Sequence, residues 1–161
     1  EIITKSDSES ESPLLFSPLE GTAIPMAQVK DETFAAEVLG KGVAVIPEKG
    51  QVKAPCNAVV ETVFDTKHAI GLKADNGAEL LIHIGVNTVE LGGKYYETHV
   101  SEGDHVKAGQ LLITFDMDRI KEEGYDVTTP LIVTNTDEYQ DVKVLKTGKV
   151  DYKDHVLELI K

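Results

Sequence analysis

Turn-forming residues interrupt this chain so often that little of it is left for helix. Short apolar runs alternate with Gly, Pro, Asn and Asp at intervals of roughly ten residues. The runs include "GKGVAVIPEKG" (40–50), "NAVVETVF" (57–64), "AGQLLITF" (108–115), "TPLIVTN" (129–135) and "DHVLELIK" (154–161). Such spacing predicts an all-β fold, an antiparallel sandwich or barrel. Helix is confined to two short stretches. "DMDRIKEEG" (116–124) predicts one, with Asp116 or Asp118 as cap and Gly124 as stop. "VNTVEL" (86–91) predicts a single turn.

At 161 residues the chain is expected to form one domain, placed over residues 13–161. Residues 1–12, "EIITKSDSESES", have little to bury and are expected to form a disordered tether. The chain begins without Met, which points to a piece of a larger polypeptide or a trimmed one. Its opening has no signal-peptide pattern, and no stretch approaches the ~18 apolar residues of a membrane span. The single cysteine, Cys56, excludes a disulfide framework and a cysteine-rich metal site, and fits a reducing compartment. A cytoplasmic location is expected. The formal charge of −12 argues against a nucleic-acid partner, which needs clustered Lys and Arg. The acidity has two readings: solubility, or steering of a basic protein partner.

The most informative stretch is "KHAIGLKADNGAELLIHIG" (67–85). Asp75-Asn76-Gly77 is a strong hairpin signal, because Asn and Gly tolerate positive φ. The flanking runs then pair antiparallel, and the register decides who meets whom. A two-residue turn at Asn76-Gly77 makes His68 and His83 diagonal neighbours on one face. A turn at Asp75-Asn76 makes them directly opposed. A plain three-residue loop puts them on opposite faces unless a bulge restores the phase. Opposed Cβ atoms lie about 5 Å apart and diagonal ones about 7–8 Å, and imidazoles span either gap. Gly71 and Gly85 would leave space beside the pair.

A histidine pair admits three chemistries. One is a satisfied core histidine or incidental pair, the second a metal pair, the third a phosphohistidine site. Neutral imidazole is a good nucleophile near pH 7 and can hold a phosphoryl group as an N–P bond. A second imidazole supplies a donor to the phosphoryl oxygens. Thr66, two residues before His68, shares its face and is placed to fix that imidazole's tautomer.

"GAELLIHIGVNTV" (77–89) resembles the active-site signature of the glucose-class IIA domains of the bacterial sugar phosphotransferase system. That signature runs Gly, two free positions, three apolar residues, His, apolar, Gly, apolar, one free position, Thr, apolar; every fixed position is filled. The resemblance extends through "FSPLEGTAIPMAQVKDETFAAEVLGKGVAVIP" (16–47), "VKAPCNAVVETVFDTKHAIGLKADNG" (52–77) and "VSEGDHVKAGQLLITFDMDRIKEEGYDVTTPLIVTN" (100–135). It implies an antiparallel β-sandwich, a flattened barrel with Greek-key character. It implies a phosphotransferase component that takes a phosphoryl group from the phosphocarrier HPr. The group then passes to the cysteine of a IIB domain, with no cofactor and no direct contact with sugar. The phosphorylated residue would be His83, reacting through Nε2. His68 would support the phosphoryl group, and Thr66 would belong to its hydrogen-bond network. The implied docking ring is Phe34, Val38, Leu39, Phe64, Ile70 and Leu81, with Asp31 on an acidic rim and Phe34 and Phe64 as exposed aromatic anchors. A IIB domain and a IIC membrane domain in the same chain would tether the unit to the inner face of the membrane. Asn87 departs from the Asp often found before the signature Thr, and some members carry Phe at Leu81, Ile70 and Ile84.

Other readings compete. A zinc peptidase of related fold needs a H-x-H pair and a further ligand, which this chain lacks. His68 and His83 would bind zinc only adventitiously, or with a partner's carboxylate. "VSEGDHVKAGQLL" (101–112 with Val100) resembles the strand-turn pattern of lipoyl and biotinyl domains, without their modified-lysine motif. Within the family, a regulatory IIA-like domain fused to an ion-coupled sugar permease is the alternative. His99, His105 and His155 lie in polar stretches and are expected at the surface, and Cys56 is expected to be packed or idle.

Overall fold

Burial alternates along most of the short apolar runs, and that alternation converts them into strands. The computed structural model describes residues 12–161. The tether expected over 1–12 therefore lies, except for Ser12, outside the described residues. In chain order the strands begin with β1 (Leu14–Phe16), β2 (Gly21–Pro25), β3 (Lys41–Pro47), β4 (Gln51–Lys53) and β5 (Ala58–Val63). They continue with β6 (Ala69–Ala74), β7 (Glu79–His83), β8 (Tyr96–Thr98), β9 (His105–Val106) and β10 (Leu111–Phe115). Then come β11 (Thr129–Val133), β12 (Asp141–Val144), β13 (Gly148–Val150) and β14 (His155–Ile160).

Pairing is antiparallel throughout these strands. One sheet has eight strands in the order β13-β2-β3-β11-β7-β6-β5-β9. Two smaller sheets have the orders β1-β14-β12 and β4-β10-β8. β11 inserts between β3 and β7, a long crossover of the Greek-key kind. The edge strands β13 and β9 do not pair with each other, so the large sheet stays open and no barrel closes. The flattened barrel expected from the sequence is thus a set of open sheets around one core. Leu15 and Leu157, Val52 and Ile113, and Ile70, Leu72 and Ile82 bring the three sheets together in it.

A second, smaller apolar cluster lies apart from that core. It comprises Met26, Val29, Phe34, Ala44, Val86 and Ile132, with Leu81 packed against it. Met26–Gln28 forms a 3-10 turn and Glu32–Ala35 a one-turn helix, α1. Asp31 caps α1 by accepting from the Phe34 N–H at 3.3 Å. The sequence reading missed α1, which is too short to show periodicity. The expected helix is α2 (Met117–Glu122), capped by Asp116, which accepts from the Arg119 N–H at 3.1 Å. The expected turn is a 3-10 turn over Thr88–Leu91.

The β6–β7 hairpin takes the register that the sequence treats as the exception. Gly77 N–H donates to the Ala74 carbonyl at 3.0 Å, and Ala74 N–H to the Ala78 carbonyl at 2.8 Å. Asp75, Asn76 and Gly77 therefore form a three-residue loop, closed by Gly77 at φ 98°. Ala69 faces His83 and Ile70 faces Ile82. On an unbroken pleat His68 would point away from His83. The ladder instead ends at Ala69, and Lys67 at φ 60° turns the chain sharply into His68. The phase is restored by leaving the strand, not by a bulge in this pair.

Gly85 follows this hairpin at φ 93°. An added Cβ there would lie 2.5 Å from Thr88 Cγ2 and 2.9 Å from the Asp126 carbonyl oxygen. At Gly77 the nearest atom would be 3.9 Å away. Both Gly→Ala changes incur the left-handed penalty of about 1–2 kcal/mol, and only Gly85→Ala adds a clash. Urea denaturation should rank Gly85→Ala below Gly77→Ala by at least about 1 kcal/mol; equal losses would show that Thr88 gives way freely.

Candidate active site: a histidine pair beside a pinned turn

His83 is the last residue of β7, and His68 stands just before β6. Their ring centroids are 4.8 Å apart with planes at 81°. Phe34 packs on the His83 ring at 4.9 Å, and Phe64 meets the edge of the His68 ring at 5.7 Å. His68 is 3% exposed, whereas His83 is partly open to solvent. The pair thus sits between α1 on one side and the β5–β6 loop on the other.

One hydrogen bond assigns the chemistry of His83. Its Nδ1 lies 2.8 Å from the Gly85 carbonyl oxygen. A carbonyl only accepts, so Nδ1 carries the proton and the Nε2 lone pair is free in the neutral ring. Burial keeps the ring neutral by lowering its pKa, against upward pulls from the Gly85 carbonyl, the Asp31 charge and its own backbone. His68 Nδ1 lies 2.7 Å from Thr66 Oγ1. A hydroxyl both donates and accepts, so this contact orients the ring without dictating its tautomer. Burial first, then the charge of His83, pushes the His68 pKa down to about 4, with the Thr66 backbone pulling upward.

The turn after His83 is fixed along its main chain. Ile84 N–H donates to the His68 carbonyl at 2.6 Å, and Val86 N–H to the Asp126 carbonyl at 2.9 Å. The Ile84 carbonyl accepts from Thr88 Oγ1 at 2.7 Å and from the Tyr96 hydroxyl at 2.9 Å. Gly85 is held between these anchors. The space expected beside it is filled by Thr88.

The structure brings His83, His68 and Thr66 together, with Asp31 close enough to His83 to act on its charge. Val38, Leu39 and Phe64 are exposed, and Leu81 is half-buried. Two residues of the implied docking ring are buried, against the exposure expected of Phe34. Ile70 is wholly enclosed in the main core, because in the observed register it shares a face with Ile82. Phe34 is only 6% exposed, because it is the centre of the smaller cluster under α1. Val89, the last position of the signature, is exposed on the 3-10 turn, which was not anticipated. Sequence reasoning also missed the roles of the Gly85 carbonyl, Thr88 and Tyr96. The signature Thr was visible but unexplained, and no local pattern links Tyr96 to Ile84.

The remaining titratable residues lie away from this chemistry. His99, His105 and His155 are exposed, as expected. Cys56 packs beside the core, and burial together with Asp75 pushes its thiol up to about 12. Among the described residues no group of three or more His, Cys, Asp or Glu could hold a metal ion. Among them, too, no helix is long and apolar enough to cross a membrane.

A paired, neutral, partly exposed imidazole can be compared with known proteins. A family model described as phosphoenolpyruvate-dependent sugar phosphotransferase system, EIIA 1, matches residues 14–139. The chain is 48% identical over 151 residues to the PTS system beta-glucoside-specific EIIBCA component of Bacillus subtilis (strain 168). That match covers 94% of this chain and 25% of the relative. A protein of the same name from Dickeya chrysanthemi is 46% identical over 91% of this chain and 23% of its own length. The chain therefore spans about a quarter of these curated relatives. The solved structure titled glucose permease IIA from Mycoplasma capricolum superposes with a TM-score of 0.84 at 34% identity. That superposition covers 89% of this chain and 93% of the other. With its paired histidines and antiparallel sheets, the chain belongs to the EIIA 1 family of the phosphoenolpyruvate-dependent sugar phosphotransferase system.

Proposed function

We propose that this chain is a phosphoryl carrier that accepts the group from HPr on His83 Nε2 and passes it to the cysteine of a IIB domain. The observation that carries this reading is the Nδ1–H···O=C bond from His83 to Gly85, which leaves Nε2 as the free nucleophile. The P–N bond of the donor breaks as the P–Nε2 bond forms. Positive charge develops on the His83 ring and is stabilised by the carbonyl dipole of Gly85 at Nδ1. His68, edge-on to His83, donates its Nε2–H to a phosphoryl oxygen when the Thr66 hydroxyl donates to its Nδ1. Thr66 holds the His68 ring in place. No cofactor enters the step.

Val38, Leu39 and Phe64 form the exposed part of the docking surface, with Leu81 behind them and Asp31 as its charge. A basic partner face suits this apolar patch on a chain of net charge −12. Residues 13–161 are read as one carrier unit, since its core runs from Leu15 to Leu159. The names of the relatives, EIIBCA components, support a IIB partner and a IIC membrane domain in the same polypeptide, and hence a unit held at the cytoplasmic face of the membrane. They favour the transfer reading over regulation of an ion-coupled permease.

Two measurements test the chemistry. Phosphoenolpyruvate, the upstream kinase and HPr should label the chain with an acid-labile group that His83→Ala abolishes. His68→Gln should accept label but pass it to a IIB domain on the order of 10² more slowly, the range for a lost proton-handling group. Normal labelling of His83→Ala would remove His83 from the mechanism.

A pH series tests the electrostatics. The unfolded chain protonates His68 below about pH 6.5, but the folded chain does so only near pH 4. Between those values the folded state binds fewer protons, so stability falls as pH falls. From pH 7 to 5 the wild type should lose about 2 kcal/mol more than His68→Gln, at about 1.4 kcal/mol per pH unit. Parallel urea curves for the two proteins across that window would show that His68 titrates normally.

A further inference from the structure

The Ile84 carbonyl draws two hydroxyl groups, and its position explains why that matters. It belongs to the Ile84–Gly85 peptide, one unit before the carbonyl that holds His83 Nδ1. Both donors are buried: Thr88 is fully enclosed and Tyr96 is 6% exposed. Thr88 arises from the turn itself, four residues on. Tyr96 arrives from β8, in a different sheet, where its ring stacks with Phe115 at 6.1 Å. Phenylalanine would fill the same space against Phe115. The hydroxyl therefore serves the carbonyl, since a buried phenol without a partner is costly. Burial also pushes the Tyr96 pKa up to about 12, against a downward pull from a hydrogen bond with Thr88, so the phenol keeps its proton near neutral pH.

We propose that Tyr96, together with Thr88, is a positioning residue for His83: the two hydroxyls hold the Ile84–Gly85 peptide so that the Gly85 carbonyl stays on His83 Nδ1. The inference rests on the reading of His83 as the phosphoryl acceptor. Without the Tyr96 hydroxyl, the peptide keeps only the Thr88 bond at that oxygen and can tilt. The Gly85 carbonyl then leaves Nδ1 part of the time. The imidazole is free to move its proton to Nε2, and a ring protonated at Nε2 cannot attack phosphorus through that atom. Tyr96 touches neither reacting atom; it acts through the main chain. The link runs from the β4-β10-β8 sheet to the turn that follows β7 of the eight-stranded sheet.

The test uses histidine labelled with ¹⁵N in the wild type, Tyr96→Phe, Thr88→Ser, Thr88→Val and the Tyr96→Phe/Thr88→Val double variant. Nitrogen shifts of His83 report its tautomer with no phosphoryl donor present. Urea midpoints report folding, and the labelling rate from phosphorylated HPr reports the reaction. Tyr96→Phe should fold, shift His83 toward a mixed tautomer, and label roughly fivefold more slowly, the effect of one net hydrogen bond. Thr88→Ser keeps the hydroxyl and should retain the wild-type tautomer; the double variant should show the largest shift. A His83 ring still protonated at Nδ1 alone in folded Tyr96→Phe overturns the proposal. If Thr88→Val does not fold, Tyr96→Phe against Thr88→Ser decides the matter. A wild type that never labels on His83 would defeat the carrier reading, while the tautomer measurement would still judge the role of Tyr96.

Discussion

The hydrogen bond from His83 Nδ1 to the Gly85 carbonyl is the contact on which the site depends. It converts a generic imidazole into one with a defined free nitrogen. Few residue pairs can make it, because the acceptor is a main-chain oxygen two residues downstream of its own donor. That demands a backbone turning immediately after a strand, and Gly85 supplies the turn at a φ that side chains rarely adopt. The rest of the signature follows from the same demand. Ile84 faces the core, Val86 joins the smaller cluster, and Thr88 folds back on the Ile84 carbonyl. The motif is therefore a way of tying a bent chain to a flat sheet, not a string of separate catalytic groups.

Much of this was legible in the sequence, and the remainder failed for identifiable reasons. Strand positions were readable because turn residues bound each apolar run. The meeting of His68 and His83 was readable, but its geometric basis was not. Alternation holds only inside a paired strand, and the deciding residue, Lys67, lies outside one with a φ that no sequence rule assigns to lysine. The burial of Ile70 was not readable either: its face depends on a one-residue choice of loop length at Asp75–Gly77. The burial of Phe34 was not readable because α1 is a single turn, so nothing in its spacing marks which side is covered. Tyr96 reaches Ile84 across two sheets, and such a contact leaves no local trace.

The distribution of apolar side chains separates stability from recognition. The main core and the smaller cluster enclose nearly every large aliphatic residue near the histidines. What remains exposed there, Val38, Leu39, Phe64 and Val89, belongs to loops and turns around the site and not to paired strands. Isolated exposed apolar residues are ordinary, but several around one partly open imidazole make an apolar rim of the kind that marks an interaction site. Phosphoryl transfer gains from this, because its charges are stabilised more strongly in a drier setting. Phe34 contributes from beneath, by packing on the His83 ring and restricting its rotation.

The charge balance at the pair runs against the charge of the whole chain. A net charge of −12 favours protonated imidazoles, and Asp31 pulls His83 in that direction. Burial wins, and both rings have lowered pKa values. The outcome follows from range: exposed carboxylates act through water and are screened within about 8–10 Å, whereas desolvation acts at the ring itself. An acidic surface and a neutral imidazole are therefore compatible on this chain. Enclosure by Phe34, Phe64 and the pinned turn is what keeps these two effects apart, so the same packing that shapes the site also sets its chemistry.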